Sequence, residues 1–184
     1  MVLAAGASRR FGNPKQVVAL DGRTLVERAI DAALAAGLSP VVAVVPVWLS
    51  RPASLEAQAV RWVRNPFPER GLSLSLQLGV AALSEEATAA VILLGDQPGV
   101  SQSTIAAIVA ARGERPVVAA EADGVLAPPV LVERNHFHLV DSLRGDVGLR
   151  GWLAANPGLV QAVPVSNHPP DIDTPGDLSR VIGP

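Results

Sequence analysis

Residues 24–45, TLVERAIDAALAAGLSPVVAVV, predict a helix that is followed directly by a buried strand. Thr24 and Glu27 have the spacing of a capping box, in which each side chain accepts a hydrogen bond from the backbone N–H of the other residue. Gly37 suits the end of the helix, because glycine readily adopts the left-handed conformation found there. The run 41–45 is short, apolar and mostly β-branched, which is typical of a strand covered on both faces. This stretch therefore predicts one helix–strand unit of an α/β protein.

The same alternation recurs along the rest of the chain. Further helices are predicted from about Ser73 and after Ser101. Short apolar runs that predict strands lie at residues 91–94, 116–120, 128–132 and 160–165. Strands that alternate with helices indicate a mostly parallel central sheet with helices on both sides, which is a three-layer, Rossmann-like α/β fold. Since no linker or repeat divides the chain, we expect one domain over residues 1–184.

The composition excludes several classes of function. The 184 residues carry a net charge of −2 and only 17% are charged, which argues against a nucleic-acid partner and against an anionic membrane surface. The absence of cysteine excludes disulfides, thiolate metal sites and thiol nucleophiles. Any bound anion must therefore be met by charges placed locally.

One uncharged stretch, residues 32–50, raises the alternative of a membrane segment. Gly37, Pro40 and Pro46 interrupt it, and its central residues have the features of a strand, so we expect a buried strand there instead. The chain also opens without the basic, then apolar, pattern of a signal peptide. We therefore expect a cytoplasmic protein.

The loop Gly6–Lys15, GASRRFGNPK, follows the first apolar residues and concentrates positive charge. Gly6 and Gly12 allow backbone N–H groups to approach phosphate oxygens closely, while Arg10 and Lys15 add cationic side chains. The spacing matches neither the P-loop of NTPases nor the GxGxxG dinucleotide fingerprint. Two interpretations stay open here: a phosphate-binding loop, or a glycine-rich surface turn with solvated arginines.

Asp96 lies just past the apolar run 91–94, at the kind of strand end where α/β folds collect ligands. Mg²⁺ prefers one or two carboxylates together with phosphate oxygens and water, so an acid beside a phosphate-binding loop predicts a metal ligand. The alternative is an aspartate that only forms a turn.

A second group of acids lies in residues 168–178, HPPDIDTPGDL. Capping of a short helix explains Thr174 and Asp177. It does not explain Asp171 or Asp173, whose side chains project the same way from an extended segment. One of these two acids is the candidate for completing the metal site.

Five motifs in this order resemble those of the MobA-like nucleotidyltransferases. They are LAAGASRRFGNPK at 3–15, NPFPERGLSLSL at 65–76, LLGDQP at 93–98, LRGDVGLR at 143–150 and DIDTPGDL at 171–178. Ala5 and Gln97 make the chain more similar to the molybdenum cofactor cytidylyltransferases, which use CTP, than to the guanylyltransferases. The resemblance implies a nucleotidyltransferase fold and transfer of CMP to the terminal phosphate of molybdopterin or molybdenum cofactor, with release of pyrophosphate.

The resemblance also implies a role for particular residues. Mg²⁺ is expected at Asp96 and Asp173, and Asp146 with Arg150 is expected on the acceptor side. Arg10, Lys15 and Asp96 are the expected catalytic residues. The nucleotide is expected to contact Ala4, Ala5, Gly6, Ser8, Arg10, Lys15, Ser73 and Ser75. The expected partners are CTP or GTP, a molybdopterin-type acceptor, and a recipient molybdoenzyme or its chaperone.

The sequence departs from the family pattern at three places. Ala127-Pro128-Pro129 stands where Gly-His-Pro is usual, which removes a hydrogen-bonding side chain from the acceptor side. Leu74 interrupts the usual run of serines. Only three residues precede Ala4, so the first strand should be short against the usual five or six residues, and we expect the natural start to lie upstream.

Other candidate sites are weaker. His136 and His138, two residues apart on a predicted helix, should point apart and form no metal site. Ser8 lacks the GxSxG context of a hydrolase nucleophile. Trp48, Trp62 and Trp152 are scattered singly, so we expect them to pack in the core rather than to stack on bases.

Several functions stay open beside the cytidylyltransferase. They are a guanylyltransferase for the same cofactor, an NTP transferase with another phosphorylated acceptor, and a non-catalytic nucleotide- or cofactor-binding protein. The combination of Arg10, Lys15, Asp96 and Asp173 favours an enzyme, because a binding protein does not need two carboxylates beside the phosphates.

Overall fold

The computed structural model describes residues 1–6, 11, 14–145, 148–165 and 176–177. Within these ranges the strands are β1 (Val2–Leu3), β2 (Ala19–Leu20), β3 (Arg23–Thr24), β4 (Val41–Pro46), β5 (Val60–Asn65), β6 (Ala89–Leu94), β7 (Val117–Ala122), β8 (Val125–Glu133) and β9 (Val160–Pro164). The helices there are α1 (Leu25–Ala35), α2 (Leu72–Ala81), α3 (Gln102–Ala110), α4 (Leu139–Ser142) and α5 (Gly148–Ala155). Every strand and helix predicted from the apolar runs is present, with ends shifted by a few residues.

The central sheet has the strand order β5-β4-β1-β6-β8-β7-β9, and β2 pairs with β3 in a separate hairpin. The strands β5, β4, β1 and β6 run parallel to one another. Strand β8 runs antiparallel to both of its neighbours, and β9 is parallel to β7. The predicted mostly parallel α/β sheet is therefore confirmed. Its strand order reverses direction on either side of β1, which is the place where such sheets bind ligands.

Two apolar clusters cover the two faces of this sheet. Along β4, Val41, Ala43 and Val45 belong to one cluster, which also contains residues of α1 and α3. Val42 and Val44 belong to the other, together with residues of α2 and α5. All of β4 is buried, so its sequence shows no polar alternation. This arrangement gives the three layers of the fold.

Helix α1 begins and ends as its sequence predicts. The Glu27 N–H donates to Thr24 Oγ1 over 3.3 Å, and the Thr24 N–H donates to Glu27 Oε2 over 2.9 Å, which completes the capping box. At the other end Gly37 adopts a φ of +77°. Its N–H donates to Leu34 O over 2.9 Å and the Leu38 N–H donates to Ala33 O over 3.1 Å, which is a Schellman motif.

The first strand is as short as expected, with two residues. Val2 is paired with Ala43 of β4 on one side and with Leu93 of β6 on the other. Met1 is also buried, and its carbonyl accepts the Leu93 N–H over 2.9 Å. Strand β1 thus joins the two halves of the parallel sheet.

The uncharged stretch 32–50 forms the end of α1 and the strand β4. Among the residues that the structure describes, no helix has both the length and the apolarity that crossing a membrane requires. The prediction of a buried strand, rather than a membrane segment, is confirmed.

The buried Glu27 carboxylate predicts a pH-dependent part of the stability. Burial acts to raise its pKa, but hydrogen bonds from Ser54 and Thr24 and the charge of Arg23 outweigh this effect, so the pKa lies below its ordinary value of 4.5. Glu27→Gln should therefore lower the free energy of unfolding at pH 7 by about 1 kcal/mol. Because a lowered pKa stabilises the fold only while the carboxylate is charged, the deficit should shrink as the pH falls below 4.5.

Urea unfolding of both proteins between pH 7 and pH 3.5 measures this deficit. Glu56→Gln, at an exposed position, is the control and should unfold like the wild-type protein at each pH. A deficit that stays constant over this range would contradict the assignment of the stabilisation to the charged form of Glu27.

Candidate active site

The loops after β1 and β6 are in direct contact at the carboxyl edge of the sheet. The Gly95 N–H donates to Leu3 O over 2.9 Å, and the Ala4 N–H donates to Val44 O over 2.8 Å. A Cβ on Gly95 would lie 2.7 Å from the Ala4 Cβ, so only glycine fits there without a shift. Ala4 and Ala5 are buried, whereas Gly6 is exposed. The start of the predicted phosphate-binding loop is therefore held by strands on both sides.

Lys15 and Asp96, two of the predicted catalytic residues, meet at this edge. Lys15 begins a short 3-10 helix, Lys15–Val17, and Asp96 follows β6. The Lys15 Nζ lies 3.3 Å from Asp96 Oδ2, while the side chains are 11% and 32% exposed respectively. An ammonium group and a carboxylate that are 81 positions apart in sequence are thus placed side by side, within reach of solvent.

Gln16 is a structural residue of the site that sequence reasoning missed. Its side chain is buried, and its Nε2 donates to Gly6 O over 2.7 Å. This bond ties the end of the loop back to its beginning. The available sequence signal was a polar residue next to the apolar run 17–20. Ser8, Arg10 and Gly12, in the middle of the loop, lie outside the described residues.

The segment after β5 is organised by Asn65, which is fully buried. Its Nδ2 donates to Ser75 Oγ over 3.0 Å, and its Oδ1 accepts the Phe67 N–H over 2.9 Å. Ser73 and Ser75 are both nearly buried, at 6% and 3% exposure. Their predicted contact with the nucleotide stays a prediction, while Ser75 also supports Asn65.

The motif at residues 143–150, which is predicted to lie on the acceptor side, contacts the beginning of α2 through Gly145. The Ser73 N–H donates to Gly145 O over 3.2 Å, so a backbone carbonyl satisfies one of the free N–H groups at this helix end. Arg150 is exposed on α5, and Asp146 lies outside the described residues. Two motifs that are far apart in sequence are joined by this bond.

Pro128 and Pro129 are buried in β8, the neighbour of β6. The register pairs Val130 with Ile92, and β8 runs antiparallel to β6, so these prolines lie toward the end of β6 that leads to Asp96. Where the family resemblance expects a histidine, the structure therefore has a buried proline.

A cleft opens beside the β1 loop on the side of β4 and β5. It is lined by Ala5, Gly6, Pro14, Gln16, Pro46, Trp48 and Pro68. Trp48 is 52% exposed there, so the expectation that it packs in the core is wrong. Trp48 lies in the turn that follows β4. Trp62 and Trp152 do pack against the apolar clusters, as expected.

The two histidines of residues 134–138 are close together rather than pointing apart. A 3-10 helix, Arg134–His136, replaces the predicted α-helical turn, and the two imidazole centroids lie 5.7 Å apart. Asn135 binds Nδ1 of both rings, through its side chain for His136 and its backbone carbonyl for His138. The described ranges contain no group of three His, Asp or Glu residues placed to hold a metal ion. Asp96 is therefore the described candidate ligand, and Asp173 lies outside these ranges.

The chain matches one family model and is similar to two characterised proteins over nearly its whole length. Residues 1–161 match the family model described as the MobA-like NTP transferase domain. The chain is 32% identical over 191 residues to the purine catabolism protein PucB of Bacillus subtilis, with 97% of this chain and 93% of PucB covered. It is 30% identical over 202 residues to the nicotine blue oxidoreductase of Paenarthrobacter nicotinovorans, with 99% and 95% covered.

Solved structures have the same fold over almost the whole length. The crystal structure of Rv0371c from Mycobacterium tuberculosis superposes with a TM-score of 0.84 at 29% identity, covering 98% of this chain and 95% of that one. A complex of the same mycobacterial protein with manganese superposes with a TM-score of 0.78 at 24% identity, covering 98% and 95%. The three-layer α/β fold is thus shared along the full chain.

The close approach of Gly95 to Ala4 predicts that Gly95→Ala lowers the free energy of unfolding by about 1–3 kcal/mol, because the new methyl group overpacks the contact. Gly113→Ala is the matched control, since its Cβ would meet only Ala111 O at 4.0 Å. Denaturant unfolding of the two variants measures the difference. Equal stability would show that the β1 and β6 loops separate without cost.

Proposed function

The chain belongs to the MobA-like NTP transferase family, and from this premise we propose that it transfers CMP from CTP to the terminal phosphate of a molybdopterin-type cofactor, releasing pyrophosphate. The matching family model describes an NTP transferase domain, which supports nucleotidyl transfer as the reaction. The observation that carries the proposal is the pair Lys15 and Asp96, 3.3 Å apart at the sheet edge beside β1. Ala5 and Gln97 support CTP as the donor, because they are similar to the cytidylyltransferase form of the motifs.

Catalysis in this proposal is alignment together with neutralisation of charge. The backbone of the β1 loop binds the triphosphate, and phosphate oxygens replace Asp96 as the partner of Lys15. The Lys15 ammonium then stabilises the charge that develops on the leaving pyrophosphate, with Arg10 as the second proposed cation. The acceptor phosphate attacks the α-phosphorus directly, so no residue forms a covalent intermediate.

The carboxylate of Asp96 fits a role as a ligand of a divalent metal ion. The Asp96 carboxylate is partly exposed, and Mg²⁺ takes one or two carboxylates with phosphate oxygens and water. We assign Asp96 and Asp173 as its ligands and Mg²⁺ or Mn²⁺ as the ion, in line with the manganese complex of the mycobacterial structure. Such an ion supplies Lewis-acid neutralisation of the phosphate being transferred.

The acceptor is the less supported half of the proposal. The side chain of the buried Pro128 can make no hydrogen bond where a histidine is usual, which favours another phosphorylated acceptor as the first alternative. Asp146 and Arg150 are proposed on the acceptor side from their motif. A guanylyltransferase is the alternative for the donor.

An oxidoreductase is the second candidate function, because one relative of 30% identity over nearly the full chain carries that activity in its name. The β1 loop lacks the GxGxxG fingerprint of dinucleotide-binding oxidoreductases, which favours nucleotidyl transfer. The two candidates differ in what they consume, so one assay separates them.

The assay incubates the protein with each of the four NTPs, Mg²⁺ or Mn²⁺, and molybdenum cofactor, and measures pyrophosphate. We expect release with CTP. Release of pyrophosphate with GTP alone would overturn the assignment of CTP as the donor. Release that requires a different phosphorylated acceptor would overturn the assignment of the molybdopterin-type acceptor. No release with any NTP, together with oxidation of a reduced nicotinamide cofactor, would support the oxidoreductase instead.

Asp96→Asn should lower the rate of pyrophosphate release by about 10²- to 10³-fold while the thermal unfolding midpoint changes little, because the site is partly exposed and the substitution keeps the shape of the side chain. Glu86→Gln is the control and should keep the full rate, because Glu86 is exposed and precedes the amino end of β6, whereas Asp96 follows its carboxyl end. An Asp96→Asn protein with unchanged turnover would place the metal elsewhere.

A further inference from the structure

Most of the exposed large apolar side chains in the described residues lie at the carboxyl edge of the sheet. In the described residues, the large hydrophobic residues that are exposed are Val17, Val47, Trp48, Phe67, Val125 and Leu159. Four of them, at 17, 47, 48 and 67, lie in the segments that follow β1, β4 and β5 at the carboxyl edge of the sheet. The chain has only three tryptophans, three phenylalanines and no tyrosine, so two half-exposed aromatic side chains at one edge are a large share of the total. Of these residues, Trp48 lines the cleft described above, so its exposed indole faces a concave surface of the kind that binds small molecules.

The backbone at Trp48 lies in a hydrogen-bonded turn. The Leu49 N–H donates to Pro46 O over 3.1 Å, which closes the turn after β4. Pro46 and Leu49 are buried on either side of it. The indole N–H of Trp62 donates to Leu49 O over 3.1 Å and so anchors the turn to β5. The exposed indole of Trp48 is therefore presented without a loop having to become ordered, which lowers the entropic cost of binding.

The cleft beside Trp48 is contiguous with the charged part of the site. Pro14 and Gln16, the two neighbours of Lys15 in sequence, line the cleft together with Gly6. None of its seven lining residues in the described part of the chain is charged. In the described part of the chain, the edge is thus divided into a cleft with uncharged lining residues and an aromatic wall and, next to it, the Lys15–Asp96 pair.

A nucleoside triphosphate has the same division, with a planar base at one end and a charged triphosphate at the other. We propose that Trp48 is a specificity-determining residue of the donor site, whose indole packs against the base of the nucleotide in this cleft. This proposal rests on the proposed function, since it assumes that the triphosphate lies at Lys15. The donor is favoured over the acceptor because the β1 loop forms one side of the cleft.

Isothermal titration calorimetry in the absence of acceptor tests the proposal directly, because it measures the Kd of each ligand. The titrants are CTP, GTP, ATP and UTP, and inorganic tripolyphosphate as a probe that lacks a base. Trp48→Ala should raise the Kd of the NTP that the wild-type protein binds most tightly by roughly five- to a hundredfold, the range for loss of one base–aromatic contact. The Kd of tripolyphosphate should not change. Trp48→Phe should restore most of the affinity, because it keeps an aromatic face.

Fluorescence gives an independent readout. If the base packs against Trp48, the NTP should quench the tryptophan emission of the wild-type protein, and this quenching should be lost in Trp48→Phe although binding is retained. Leu159→Ala is the control for loss of an exposed apolar side chain. Leu159 precedes β9 at the opposite edge of the sheet and is 42% exposed, so its variant should bind and quench like the wild type.

The outcomes separate this proposal from the proposed function. Unchanged NTP affinity in Trp48→Ala would overturn the role of Trp48 and leave nucleotidyl transfer intact. An equal loss of affinity for tripolyphosphate in Trp48→Ala would also overturn it. So would a lower affinity of this variant for the acceptor with an unchanged affinity for the NTP. NTP binding that depends on Trp48 without pyrophosphate release under any condition would support the cleft and overturn the proposed reaction. A wild-type protein that binds no NTP would overturn both.

Discussion

The pairing of β1 on both of its sides is the constraint on which the site depends. This strand has only two residues, yet it connects β4 to β6 in the middle of the parallel sheet. Its last hydrogen bonds, from Ala4 to β4 and from Gly95 to Leu3, fix where the β1 loop starts and where Asp96 begins to leave the sheet. Because Gly95 has no side chain, the two loops approach until an added Cβ would clash with Ala4. The placement of Asp96 relative to the loop is thus set by backbone geometry before any side chain contributes.

The far end of the loop is fixed by different forces. Gln16 makes a hydrogen bond to Gly6 from a buried position, where an unsatisfied amide would be costly, so the bond holds the two ends of the loop together. Lys15 is then brought beside Asp96 with only 11% of its side chain exposed. In a chain with a net charge of −2, attraction of a polyanion cannot come from the overall charge and has to come from such local placement.

The local parts of the fold were predictable from sequence because their causes are local. The capping box of Thr24 and Glu27, the Schellman end at Gly37 and the doubly buried β4 each depend on residues within a few positions. The sequence also allowed the prediction that Lys15 and Asp96 lie near each other, because parallel strands bring the loops at their carboxyl ends together. The bonds from Gln16 to Gly6 and from Ser73 to Gly145 were not predictable, because no sequence pattern encodes which distant carbonyl a given donor will reach.

The errors at Trp48 and at the two histidines have the same physical origin. Whether Trp48 is covered depends on which element passes over the turn after β4, and none of the described elements buries it. The histidines come together because residues 134–136 adopt the tighter 3-10 turn, which changes the angle between neighbouring side chains. In both cases the error lies in the predicted surroundings of the side chain. For Trp48 this difference matters for function. An indole covered by a helix would only stabilise the fold, whereas an exposed indole that lines the same cleft as Gly6 adds an aromatic wall to the edge at which Lys15 and Asp96 meet.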